Sequence, residues 1–128
     1  MLLYRVEGED RVGPYYVPTR VRSPFRGVRY RKRPQLKRRF ACDLCRKHRQ
    51  SPMHPSALEE FAYIDRREVC AFTSPDAAAL WFAGFEDALK AHGFSLIVYD
   101  AEEQTVRFGA SQVLFQPHRA VRLGVYSR

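Results

Sequence analysis

The chain of 128 residues carries 22 Lys and Arg against 14 Asp and Glu, which gives a formal net charge of +8 at pH 7. This length fits one domain, and a hydrophobic fraction of 45% is sufficient for a core. No apolar run approaches the ~18 residues of a membrane span, and the early arginine argues against a signal peptide. We therefore expect a cytoplasmic protein without a membrane partner.

The positive charge is concentrated in one segment, residues 20–49, which we call the basic segment. Thirteen Lys and Arg against the single carboxylate of Asp43 give this segment a charge of +12, so the rest of the chain carries −4. Such charges cannot be buried, because each buried and unpaired charge costs several kcal/mol. The sequence thus predicts a single domain of residues 1–128 with a basic insertion at about residues 20–50.

The first predicted elements lie on either side of this segment and within it. Strand-forming side chains at residues 2–6 predict an opening strand. Residues 36–47 could form a short basic helix. Ser56 as N-cap and Glu59 at the capping-box position predict a second short helix, and residues 68–72 form a strand candidate.

The clearest helix signal begins at Ser74, a good N-cap residue, followed by Pro75 at the first helical position. Gly84 predicts a break into two short helices, and Gly93 predicts a left-handed C-cap. Further strand candidates follow at residues 95–99, 105–108, 112–115 and 121–126. This order predicts an α+β fold, with a mostly antiparallel central sheet and two or three short helices.

The cations of the basic segment are interleaved with the aromatic rings of Phe25, Tyr30 and Phe40. Cations neutralise phosphates and aromatic rings stack on exposed bases, so the segment predicts binding to nucleic acid or to a ribonucleoprotein. An acidic protein surface and a merely solvated loop remain the alternatives. The candidate contact residues are Arg22, Arg26, Arg29, Tyr30, Arg31, Lys32, Arg33, Lys37, Arg38 and Arg39.

Cysteine and histidine are grouped at the end of the basic segment. Cys42, Cys45 and His48 are spaced three residues apart, and His54 follows six residues later. Two thiolates and two imidazoles could complete a tetrahedral zinc site. The same pattern also fits a short basic helix with two half-buried cysteines, because a single cysteine pair is weak evidence for a metal. Both interpretations remain open.

Several short motifs are spread over most of the chain outside the basic segment. They are Tyr4-Arg5-Val6-Glu7, Gly13-Pro14-Tyr15, His54-Pro55, Phe72-x-Ser74, Trp81-Phe82, Gly93-Phe94, Tyr99 and Gln112-Val113-x-Phe115. Together they resemble a group of small phage and prophage proteins of uncharacterised function. With the basic segment, this resemblance implies a non-enzymatic accessory protein, such as a counter-defence (anti-CRISPR-like) or host-takeover factor acting in the host cell cytoplasm.

Arg5, Thr73-Ser74 and Gln112 also resemble, more distantly, the ADP-ribosyltransferase fold. In that family an arginine or histidine on the first strand binds NAD, a Ser/Thr motif supports the nicotinamide side, and a glutamate on a later strand stabilises the ribosyl cation. The resemblance implies a nucleotide pocket of Arg5, His54, Thr73, Ser74 and Gln112. Because Gln112 lacks the negative charge of that glutamate, it implies either a binding scaffold without catalytic residues or, alternatively, a small NAD-dependent enzyme that modifies a host target.

Overall fold

The computed structural model describes residues 1–15, 35–50 and 57–127. Its helices and strands are β1 (Leu2–Glu7), α1 (Gln35–Gln50), α2 (Ala57–Glu60), β2 (Val69–Ala71), α3 (Pro75–Trp81), α4 (Glu86–Ala91), β3 (Ser95–Ala101), β4 (Arg107–Phe108), β5 (Val113–Phe115) and β6 (Ala120–Val125). Two short 3-10 helices, Glu103–Thr105 and Pro117–Arg119, precede β4 and β6. The predicted α+β class is confirmed.

Two antiparallel sheets of three strands form the framework, with strand orders β1-β3-β6 and β2-β5-β4. An isolated antiparallel bridge joins Tyr4 of β1 to Phe72, the residue after β2. Each of these residues donates its backbone N–H to the carbonyl of the other at 2.8 Å. The strands therefore follow one another in the order β6-β3-β1-β2-β5-β4. The predicted sheet is antiparallel as expected, but it is divided into two at this bridge.

The hydrophobic core lies on both faces of the β1-β3-β6 sheet. Because successive side chains of a strand point to opposite faces, Leu3 and Val6 of β1 belong to different clusters. Val6 packs in a cluster formed largely by α1, α3 and α4, whereas Leu3 packs with Tyr99 and with Phe115 of the other sheet. One face of this sheet therefore carries the helices, and the other carries the second sheet.

Helix α1 places the second half of the basic segment in the core. The predicted basic helix is confirmed, and its side chains Phe40 and Leu44 are buried in the helix-side cluster, Leu44 completely. Arg39, Arg46 and Lys47 are exposed. Phe40 and Leu44 are four residues apart, so they lie on one face of the helix. This half of the predicted insertion is therefore an amphipathic core element, with Arg39, Arg46 and Lys47 on its outer side.

The helix signals around Ser74 are confirmed in detail. The Oγ of Ser74 accepts a hydrogen bond from the backbone N–H of Ala77 at 3.0 Å, and Pro75 opens α3. The chain breaks between α3 and α4 at Gly84, which has φ of 89°, and Gly93 after α4 has φ of 80°. Both values lie in the left-handed region that favours glycine.

The other predicted elements differ in length rather than in kind. The cap Ser56 lies outside the described residues, whereas the helix expected to follow it is present as α2. The strand expected at residues 105–108 is shortened to β4 by the 3-10 helix before it. The predicted edge strand is confirmed, since β6 pairs only with β3 in the described sheets. None of the described helices combines the length and apolar character that crossing a membrane requires.

We predict that Leu44→Ala lowers the free energy of unfolding by about 2–5 kcal/mol, because it leaves a cavity in the helix-side cluster. Asp43→Ala, at the exposed neighbouring position of α1, is the control and should change it by less than about 0.5 kcal/mol. Urea unfolding followed by circular dichroism measures both. Equal effects of the two substitutions would contradict the placement of α1 in the core.

Candidate functional site

Two of the predicted pocket residues, Arg5 and Gln112, line one cavity of about 400 Å³. Cavities of roughly 300–1,000 Å³ are typical of small-molecule sites. Thr73 and Ser74 are not among its described lining residues, and the Ser74 side chain serves instead as the cap of α3. His54 lies outside the described residues. Of the pocket that the resemblance implies, Arg5 and Gln112 line the cavity, whereas the Ser/Thr motif is not among its described lining residues.

The cavity lies where β1, the loop after it, β2 and α3 meet. Among the described residues, its lining includes two guanidinium groups and several aromatic rings but no carboxylate. Gly13, Pro14, Tyr15, Trp81 and Phe82 were quoted above only as motifs of the phage-type resemblance, and Arg11 was not singled out, because no local pattern groups residues this far apart in the chain. The side chains that give the cavity its character are Arg5, Arg11, Tyr15, Phe72, Trp81 and Phe82.

Arg5 is held in a fixed orientation at the cavity wall. Its Nε donates to Oε2 of Glu7 at 3.2 Å, and its Nη1 donates to the carbonyl of Cys70 at 2.9 Å. Its Nη2 lies 3.1 Å from the position that a Cβ would occupy at Gly13. Only 12% of the Arg5 side chain is exposed. A larger residue at position 13 would therefore displace the guanidinium.

Glu7 is a buried carboxylate with a full set of charged and polar partners. It is 2% exposed, and it accepts hydrogen bonds from Arg5, from Nε of Arg122 at 2.9 Å, and from the hydroxyl of Tyr99 at 3.0 Å to each oxygen. Burial first, and then the charge of Glu7, raise the pKa of Tyr99. The buried charge is thus compensated from three directions, as a buried ion requires.

A polar chain within an aromatic cluster connects α1 to the cavity. The hydroxyl of Tyr15 shares a hydrogen bond with Nδ1 of His48 and accepts one from Nε1 of Trp81 at 2.7 Å. His48 is buried, and the rings of Phe82 and Phe85 also lie against it. Burial is the main cause that raises the pKa of Tyr15 above its usual range. These contacts fix one end of the basic segment to the cavity wall.

The predicted zinc ligands do not come together in the described part of the chain. Cys42 is exposed, Cys45 donates from its Sγ to the carbonyl of Tyr15 at 3.5 Å, and His48 is bonded to the hydroxyl of the same tyrosine. Cys42 and His48 lie six positions apart on α1, hence on different faces. No group of three or more possible ligands occurs among the described residues, and His54 lies outside them. Of the alternative interpretation, a short basic helix with two half-buried cysteines, the helix agrees with α1 and Cys45 is half-buried, whereas Cys42 is exposed.

Gln112, at the position that the resemblance assigns to a catalytic glutamate, binds a carboxylate instead. Its Nε2 donates to Oε2 of Glu60 at 2.9 Å. The backbone N–H and the hydroxyl of Ser111 donate to the same carboxylate at 2.6 and 2.8 Å. A Cβ at Gly109 would lie only 2.7 Å from Oε1 of Glu60. The loop before β5 is therefore folded around the carboxylate of α2.

The predicted nucleic-acid contacts are mostly outside the described residues. The side chain of Arg39 is described and is exposed on α1. Lys37 and Arg38 belong to the same helix. The candidates outside the described residues are Arg22, Arg26, Arg29, Tyr30, Arg31, Lys32 and Arg33.

We predict a pH-dependent effect of Glu60→Gln. Burial raises the pKa of Glu60, but the hydrogen bonds from Ser111 and Gln112 outweigh it and lower the pKa overall. The ionised Glu60 therefore stabilises the fold above the ordinary glutamate pKa of about 4.3, and this stabilisation is lost as the pH falls through the folded-state value. Urea unfolding should show the variant less stable than wild type at pH 7 and the difference shrinking by about pH 3.

The matched control for this measurement is Glu59→Gln, at the exposed neighbouring position of α2. It removes the same charge from the same helix, but from an exposed side chain. Because substitutions at exposed positions usually have small effects, it should leave the free energy of unfolding nearly unchanged at both pH values. A Glu60→Gln difference that stayed constant between the two pH values would contradict the role of the ionised carboxylate.

Comparison with known proteins places the chain in one family. A family model described as "Bacteriophage T4 Y00F protein" matches residues 1–127. Neither the curated proteins nor the solved structures contain a match. The predicted phage-type relationship is thus confirmed, whereas the resemblance to ADP-ribosyltransferases gains no support from these comparisons and stays a prediction. The chain belongs to the Bacteriophage T4 Y00F protein family.

Proposed function

We propose that this phage-type accessory protein is not an enzyme and binds nucleic acid, free or within a host ribonucleoprotein, through its basic segment. The observation that carries the proposal is the separation of charge, with +12 in residues 20–49 and −4 in the rest of the chain. Such an excess attracts a polyanion through release of condensed counterions. A counter-defence or host-takeover role in the host cytoplasm fits this activity.

The geometry of α1 supports the proposal. Buried Phe40 and Leu44 hold the helix against the core, while Arg39, Arg46 and Lys47 face outward. Cations on an anchored helix lose less conformational entropy on binding than cations on a free chain. The last turns of the basic segment therefore offer a preorganised cationic surface for phosphates.

The salt dependence of binding tests this proposal. We predict that Arg46→Gln combined with Lys47→Gln reduces the slope of log affinity against log salt concentration by up to about 2, since each phosphate contact contributes about 0.7–0.9. Anisotropy of labelled DNA and RNA oligonucleotides, measured across a salt series, gives the slopes.

The control is Arg66→Gln combined with Arg67→Gln. It removes the same charge from two exposed residues outside the basic segment, so it should leave the slope nearly unchanged. An equal reduction of the slope in the two double variants would indicate a nonspecific effect of net charge. If wild type does not bind DNA, RNA or a ribonucleoprotein at low salt, the proposal fails, and an acidic protein surface becomes the favoured partner.

A second candidate is a small ADP-ribosyltransferase-like enzyme that uses NAD to modify a host target. It is favoured by the placement of Arg5 and Gln112 in one cavity, where a guanidinium could bind the NAD pyrophosphate. Two observations weigh against catalysis: the described lining lacks a carboxylate to stabilise a ribosyl cation, and the Gln112 amide is bonded to Glu60. Binding without transfer is therefore the form of this candidate that the geometry favours.

Incubation with labelled NAD and host lysate separates the two candidates. We predict no transferred label and no release of nicotinamide, because the cavity offers no described counter-charge for the cation. Release of nicotinamide by wild type that disappears in Arg5→Lys would contradict this prediction and would assign an enzymatic activity to the cavity.

A further inference from the structure

The cavity beside β1 has the chemistry of a nucleotide site and adjoins the basic segment. We propose that it binds one unpaired nucleotide of a single strand whose neighbouring phosphates are held by that segment. This inference rests on the proposed function and narrows it, because it specifies a single-stranded rather than a duplex ligand. It also assigns a role in recognising the nucleic acid to residues outside the basic segment.

The lining matches a phosphate joined to a planar ring. Arg11 supplies an exposed guanidinium group, which can bind phosphate oxygens in a bidentate manner. Arg5, whose Nε and Nη1 are bonded to Glu7 and to the Cys70 carbonyl, adds a second guanidinium group to the wall. Tyr15, Phe72 and Trp81 supply aromatic surface, and stacking of a base on an aromatic ring contributes about 1–3 kcal/mol. No described lining residue is an acid that would repel the phosphate.

The size of the cavity restricts what can enter it. Its volume of about 400 Å³ lies near the lower end of small-molecule sites, which favours a single nucleotide over a longer stretch. Bases inside a duplex are paired and stacked, and extruding one costs a few kcal/mol. An already unpaired base enters without that cost, so the ligand is a single strand.

The described part of the basic segment, α1, lies next to this cavity. His48 of α1 is bonded to the hydroxyl of Tyr15, which lines the cavity, and the ring centroid of His48 lies 5.6 Å from that of Trp81. A strand bound along the exposed cations of α1 is therefore close to the cavity.

The backbone at Arg11 is a further mark of a ligand site. Arg11 has φ of 62°, a left-handed conformation that is uncommon for a residue with a side chain. Its backbone N–H donates to the carbonyl of Gly8 at 2.9 Å, and the N–H of Gly8 donates to the carbonyl of Val12 at 3.0 Å. Such strain persists where the surrounding structure enforces it, and it clusters at binding sites. Here it places the Arg11 side chain in the cavity lining.

Trp81 provides a direct probe of the cavity. It is the only tryptophan of the chain and it lines the cavity. Because His48 of α1 lies against it, occupancy of the cavity is read as the quenching of Trp81 fluorescence by a single strand beyond that caused by the duplex, which binds the basic segment alone. We expect a single-stranded oligonucleotide to quench this fluorescence and to bind at least about fivefold more tightly than the duplex of the same sequence, since one stacked base contributes about 1–3 kcal/mol.

Arg11→Gln is the informative variant, because Arg11 is exposed in a loop and its side chain has no described contact to the core. It should weaken single-strand binding about fivefold to tenfold, reduce the quenching at a given oligonucleotide concentration, and leave duplex binding nearly unchanged. Arg66→Gln removes an equal charge from an exposed position that is not among the described lining residues and should preserve the single-strand preference. Circular dichroism confirms that both variants are folded.

The outcomes distinguish the two proposals. Salt-dependent binding to both single strand and duplex, without preference and without quenching of Trp81, overturns this inference and leaves the proposed function intact. Absence of any nucleic-acid binding overturns both. Quenching of Trp81 by AMP or NAD alone, without polymer binding, assigns the cavity to a free nucleotide and overturns the inference as well. Quenching by the single strand that Arg11→Gln weakens supports it.

Discussion

The hydrogen bonds and ion pairs of the buried Glu7 carboxylate stabilise the β1-β3-β6 sheet and orient a side chain of the cavity wall. The carboxylate joins three strands, because Glu7 and Arg5 lie on β1, Tyr99 on β3 and Arg122 on β6. Removing one member of a buried charge pair typically costs 3–5 kcal/mol, since the other charge remains without compensation. The same carboxylate fixes the Arg5 guanidinium against the carbonyl of Cys70. The stability of the β1-β3-β6 sheet and the orientation of Arg5 at the cavity therefore depend on the same carboxylate.

Helix α1, the described part of the basic segment, is held against this framework by the apolar side chains and the histidine on its inner face. Phe40 and Leu44 are buried with the helices, and His48 is bonded to Tyr15 in the cavity wall. A helix with an inner apolar face and outer cations resolves the conflict between a segment charge of +12 and a compact core. The cost of assembling so much like charge remains, and a bound polyanion would relieve it.

Local signals in the sequence predicted the elements well, whereas contacts between distant residues were predicted only in part. Ser74, Gly84 and Gly93 act within a few residues of themselves, so their roles as cap, break and C-cap could be inferred directly. His48 was one candidate ligand of a zinc site that was left open, and its spacing of four from Leu44 also continues the apolar stripe of α1, which indicates burial. That it meets Tyr15, 33 residues earlier, depends on tertiary packing that no local pattern encodes.

The candidate site illustrates the same limit. Arg5 and Gln112, which the resemblance assigns to one pocket, line one cavity, but the resemblance also assigns Ser74 to it, and the local energetics of a helix N-terminus explain the position of Ser74 instead. Gln112 lies directly before β5 with its amide bonded to Glu60, and the same carboxylate is also held by hydrogen bonds from Ser111. A cavity with two guanidinium groups and no described carboxylate lining favours anions in their ground state over a cationic transition state. The positive side chains in its lining have the same sign as the net charge of the basic segment.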